Sequence, residues 1–139
     1  MIVWCVATLS VRSGKLSAKE IARILESEGS HQVEKGSRVS MRPTITRVYD
    51  NSVWSLDSEL GDSETVESHI EELLVFAEAK AEALESLSPD CDVEVWISFR
   101  TCDDQGGFTL DEQMLKRLAK LNIKMQVSFM GNRDEEEEN

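Results

Sequence analysis

Residues 2–11 are apolar on both sides of an extended chain: Val3, Cys5, Ala7 and Leu9 face one way, Ile2, Trp4, Val6 and Thr8 the other. That pattern predicts a central strand. Ser13-Gly14 breaks it, and Ser17-Ala-Lys-Glu20 has the spacing of a capping box, whose hydroxyl and carboxylate satisfy free amide donors at a helix start. Ile21, Ile24 and Leu25 follow at helical spacing, with Gly29 as the expected stop. Residues 30–44 show no period and read as irregular chain. Residues 45–49 and 53–59 read as extended, and the turn formers Asp50-Asn51-Ser52 between them predict a β-hairpin.

The clearest helix comes next. Val66, Ile70, Leu73, Leu74, Ala77, Ala81, Leu84 and Leu87 recur at spacings of three and four, predicting one long helix capped by Asp62 or Ser63 and stopped by Pro89. Val93, Val95, Ile97 and Phe99 alternate with Glu94, Trp96, Ser98 and Arg100, the signature of a half-buried strand. Thr109-Leu-Asp-Glu112 reads as a second capping box before Leu115, Leu118 and Leu121, and Ile123, Met125, Val127 and Phe129 alternate in a last strand. The expected fold is α+β: a two-layer sandwich with a ferredoxin-like β-α-β-β-α-β core, an additional C-terminal α-β unit, and helices on one sheet face. One domain over 1–132 is expected, followed by an acidic disordered tail at 133–139.

Of the 139 residues 40% are apolar, too many for wholesale disorder, and seven glycines and two prolines are too few for a fibrous protein. The net charge of −12 argues against a nucleic-acid partner, which needs a concentrated positive field. Most of that charge is local: residues 62–90 carry nine acids against Lys80, and the tail carries five acids against Arg133. No apolar run approaches the roughly 20 residues of a membrane span, and residues 2–9 lack the basic flank of a signal peptide. Cys5, Cys91 and Cys102 form no CxxC pair, so a reduced, cytoplasmic protein without disulfides or structural zinc is expected.

Several stretches, taken in order, carry a family resemblance. They are residues 21–25, Lys35-Gly36-Ser37, Val53-Trp54-Ser55-Leu56-Asp57-Ser58-Glu59, Glu67-Ser68-His69-Ile70-Glu71-Glu72-Leu73-Leu74, Gly106-Gly107-Phe108-Thr109-Leu110 and Leu121-Asn122-Ile123. Together they resemble the bacterial domain of unknown function 4279 family over nearly the whole chain. The chain departs at residues 30–33, where that family tends to show a Pro-Thr pair. The resemblance implies the architecture and a bacterial-type cytosolic origin, and carries no activity.

Candidate chemistry is sparse. His69 and Glu72 sit three apart on a helix, but one pair supplies two ligands where a catalytic zinc needs three, so His69 reads as a residue at the rim of the core. His31 reads as a loop residue without a partner. Asp103-Asp104-Gln105-Gly106-Gly107 lacks the ligand spacing of a calcium loop, and neither GxGxxG nor GxxxxGK[ST] occurs. Cys102 precedes two aspartates that disfavour a thiolate, and no GxSxG elbow is present. No catalytic residue, metal or cofactor is assigned.

Two surfaces remain. The helix carrying Glu71, Glu78 and Glu82 presents either a solvated face or an attractive face for a basic protein. Trp96, on the polar strand face with Arg100, is either an exposed binding aromatic or covered by residues 30–44, Trp4 or Trp54. The expected function is a non-enzymatic protein-binding module, with an immunity-type protein that neutralises a basic toxin as its specific form. The alternative is a small-molecule-sensing or regulatory domain with its ligand on the open sheet face; self-association through that face is a third reading, and the oligomeric state is open.

Overall fold

A computed structural model describes residues 2–61, 64–101 and 107–130. β1 (Ile2–Ser13) is the middle strand of a five-stranded sheet in the order β2-β3-β1-β4-β5. It pairs antiparallel with both β3 (Ser52–Asp57) and β4 (Asp92–Thr101). β2 (His31–Val33) lies antiparallel to β3, while β5 (Lys124–Met130) runs parallel to β4 after a crossover through α4 (Glu112–Lys120). The architecture is α+β.

Of β1's two apolar sides one is packed. Cys5, Ala7, Leu9 and Val11 are buried, joined by Val93, Val95, Ile97 and Phe99 of β4, while Trp4, Val6 and Thr8 are half-buried. The covering side chains come from four helices: Ile21 and Leu25 of α1 (Ala18–Leu25), Ile70, Leu73 and Leu74 of α2 (Val66–Ala79), Leu84 and Leu87 of α3 (Ala81–Leu87), and Met114 and Leu118 of α4. All belong to one apolar cluster, where each buried leucine or isoleucine contributes about 1.5–3 kcal/mol. Trp54 sits in it fully enclosed, stacked on Phe76 and donating its indole N–H to the Ser27 carbonyl at 2.8 Å.

The start of α1 follows the sequence pattern: the Ser17 hydroxyl accepts from the Glu20 N–H at 3.0 Å, and the Glu20 carboxylate accepts from the Ser17 N–H. A second carboxylate, Glu34, reaches in from beyond β2 to accept the N–H groups of Ala18 and Lys19 at 2.7 and 3.3 Å, and the Ser52 hydroxyl at 3.2 Å. The Ala18 amide first, then the Lys19 amide and the Ser52 hydroxyl, hold the Glu34 carboxyl below its ordinary value of 4.5. A depressed folded-state pKa means stability that is present above the unfolded value and lost as pH falls through the folded one. Acid unfolding of Glu34→Gln is therefore expected to lose part of its pH dependence below about 4.5, and urea midpoints measured across that window check it.

Elsewhere the chain corrects the pattern. α1 stops at Leu25, where Glu26 caps the helix in the left-handed conformation (φ 54°), three residues before the expected stop at Gly29. Residues 30–44 are not wholly irregular, since they contain β2, and the expected hairpin of 45–49 with 53–59 is absent. Residues 45–49 instead fold back on 36–39, through Gly36 N–H to Tyr49 O (2.9 Å) and Val39 N–H to Arg47 O (3.0 Å). β3 is thereby left to pair with β2, whose Gln32 faces Trp54. The long helix breaks at Lys80 (φ −109°, ψ 22°) into α2 and α3. Its cap is the Thr65 hydroxyl; Asp62 and Ser63 lie outside the described residues. α4 is capped by Asp111 rather than Thr109, which turns Met114 and Leu118 inward and leaves Leu115 exposed. Cys102, the 103–106 loop and the 133–139 tail also lie outside the described residues.

Candidate functional site

The acidic helices present Glu71, Glu78, Glu82 and Glu85 outward, but not as free charges throughout. Arg117 of α4 grips Glu78 through both carboxylate oxygens, at 3.1 and 2.6 Å, and takes Glu71 with its other terminal nitrogen. Those hydrogen bonds hold the Glu78 carboxyl below its usual range. Sequence reasoning missed Arg117, because its position on a separate helix carries no local signal. Glu67 accepts the Thr109 N–H and Glu72 the Glu59 N–H, so both tie loops to α2. Glu82 and Glu85 are exposed and have no ion-pair partner among the described residues. Lys120 also acts on Glu78 from α4, so the carboxylates of this face that stand apart from a cation are those of Glu82 and Glu85 among the described residues.

The second surface is the sheet face turned away from the helices. Register aligns Thr8, Trp96 and Gln126 in one row, and Ser10, Glu94 and Lys124 in the next. Trp96 is 39% exposed, and its indole N–H donates to Glu94 at 2.9 Å, which fixes the ring. Glu94 is only 6% exposed and accepts Arg12 at 3.4 Å. Beside them Asp57 accepts the Thr8 hydroxyl at 2.7 Å and faces His31 at 3.3 Å, so His31 is a strand residue with a carboxylate partner. Trp54 projects from the other side of the sheet and does not cover Trp96. Arg100 is half-buried on the Trp96 face and opposite Trp4. The sequence showed Trp96; the Arg12–Glu94–Trp96 chain needed the strand register.

His69 lies inside the core at 1% exposure, not at its rim. Its Nδ1 is 2.6 Å from the Ser58 hydroxyl and its Nε2 3.2 Å from the Gly61 carbonyl. The Ser58 oxygen accepts the Ala7 N–H at 3.1 Å and keeps its own proton to donate to an unprotonated Nδ1. The carbonyl can only accept, which places the imidazole proton on Nε2. His69 and Glu72 thus address different partners and do not converge on one ion. At the far end of the core, Leu84, Val93 and Leu121 floor a groove of about 550 Å³ rimmed by Cys91, Lys120 and Lys124. Burial pushes the Cys91 thiol up, away from the reactive thiolate.

A mixed five-stranded sheet covered on one face by short helices defines the class as a small α+β domain. A family model described as Domain of unknown function (DUF4279) matches residues 4–131, and the chain belongs to that family. No curated protein and no solved structure matches the chain. Among the described residues no helix is long and apolar enough to cross a membrane.

Proposed function

We propose that the chain is a non-enzymatic protein-binding module of the immunity type, whose acidic helical face meets a basic partner such as a toxin nuclease. The observation that carries this reading is the outward row Glu78, Glu82 and Glu85 on α2 and α3, of which only Glu78 has an ion-pair partner among the described residues. Such a face raises encounter rates with a positive partner. The strand order β2-β3-β1-β4-β5, with β2 and β3 flanking one side of β1 and β4 the other, supports a ferredoxin-like two-layer arrangement extended by β5. The free thiol of Cys91 supports a cytoplasmic setting.

The test is the association rate with the basic product of a neighbouring gene. Lowering salt is expected to raise it, and the pair Glu82→Lys and Glu85→Lys to reduce it at least about tenfold at low ionic strength. These two positions leave the Arg117 grip intact, so the effect reads the surface and not the fold. Rates indifferent to salt and to both substitutions overturn the electrostatic reading. A second reading, a small molecule on the open sheet face, is favoured by the fixed, exposed ring of Trp96. A saturable change in tryptophan emission with a metabolite, abolished in Trp96→Phe, selects it instead.

A further inference from the structure

β5 ends the sheet, and among the described residues no strand pairs with its outer edge. Exposed edges are ordinarily blunted by brevity, proline, bulges or charge. The opposite edge obeys that rule, since β2 has three residues. β5 does not: its seven residues, KMQVSFM, contain no proline, and their register with β4 is unbroken. Its one charge, Lys124, stands at the end and lies 3.8 Å from Asp92 of the neighbouring strand. On the helix-covered side, Val127 and Phe129 are 51% and 47% exposed, although their β4 neighbours Ile97 and Phe99 are buried. Beyond β5 the apolar layer continues with nothing over it among the described residues.

We propose that this edge pairs with the same edge of a second copy, antiparallel about a two-fold axis through Val127, joining two sheets into one. The sequence of β5 is self-complementary in that register. Val127 meets Val127, Met125 meets Phe129 and Gln126 meets Ser128, so apolar faces apolar and polar faces polar. The two Lys124 side chains fall at opposite ends, and no like charges stand across from each other. A two-fold interface of this kind closes on itself and stops at two copies. With −12 on each chain the copies repel at long range, so added salt strengthens the pairing instead of weakening it.

Sedimentation equilibrium of the full chain over a wide concentration range is the first test. A reversible dimer is expected, tightened by salt, and Val127→Lys, which sets two ammonium groups face to face, is expected to weaken it at least about tenfold. Circular dichroism verifies that the variant remains folded; Gln126→Lys serves in its place where it does not. Geometry is tested separately in a Cys91→Ser, Cys102→Ser background. Val127→Cys is expected to form an intermolecular disulfide readily under mild oxidation, because directly opposed Cβ atoms lie about 4.5–5.5 Å apart. Gln126→Cys, which faces position 128, is expected to cross-link far more slowly. A chain that stays monomeric throughout, a dimer indifferent to Val127→Lys and Gln126→Lys, or equal cross-linking at the two positions overturns the proposal. Capture of a strand from another protein by a monomeric chain does so as well.

Discussion

Gly29→Ala is expected to destabilise the fold by about 2–5 kcal/mol, a large fraction of what holds a domain of this size together. Two independent penalties meet at this residue. Its φ of +65° lies in the left-handed region, where a Cβ costs about 1–2 kcal/mol. A Cβ there would also stand 2.5 Å from the Ser55 carbonyl oxygen and 2.8 Å from Cε2 of Trp54. The carbonyl cannot move aside, because it accepts the Ser30 N–H at 2.7 Å. The indole is equally fixed by its bond to Ser27 and by Phe76, so overpacking adds about 1–3 kcal/mol. Gly36→Ala is the control: φ is +89° but nothing lies within 4 Å, so only the backbone penalty applies. Urea unfolding followed by tryptophan emission measures both. Equal losses at the two glycines would mean that the close approach at Trp54 carries no energy.

Gly29 also shows where local pattern stops informing. As a residue after a helical stripe it reads as a helix stop, yet its conformation serves an indole 25 positions further along the chain. β2 was hidden for a related reason: His31, Gln32 and Val33 do not alternate in polarity, and their pairing is fixed by β3 across an intervening arm. The break at Lys80 interrupts Ala79-Lys80-Ala81, all good helix formers, so neither glycine nor proline marks it. What was legible was governed by neighbours in sequence: the Ser17–Glu20 capping box, the alternation in β4 and the buried face of β1. On the candidate surfaces, Trp96 and the row of glutamates could be read directly, whereas Arg117, Arg12 and Ser58 act across the fold. One missed signal was present. His69 stands in the series Val66, Ile70 and Leu73, with the core residues Val66 and Leu73 a turn to either side, and a polar group on that stripe implies a buried partner.

That partner makes His69 the site of the second large effect, with His69→Ala expected to destabilise by about 2–4 kcal/mol. The substitution empties a fully packed position and leaves the buried Ser58 hydroxyl without its acceptor. Ser58→Ala is expected to cost a similar amount, because it strands the Ala7 N–H of the central strand together with Nδ1 of the imidazole. The Ser58 N–H also donates to the Ala7 carbonyl at 2.7 Å, so the serine extends the β1–β3 ladder by one step and hands it to α2 through the histidine. If the three residues act as one latch, the double variant loses less than the sum, with a coupling of about 1–3 kcal/mol in a urea double-mutant cycle. Hydrogen exchange supplies the structural counterpart: the Ala7 amide, protected in the intact chain, is expected to exchange faster in Ser58→Ala and in His69→Ala alike. Additive losses, with Ala7 protection untouched by His69→Ala, would reduce His69 to a space-filling side chain and remove the link between the helix and the sheet's central strand.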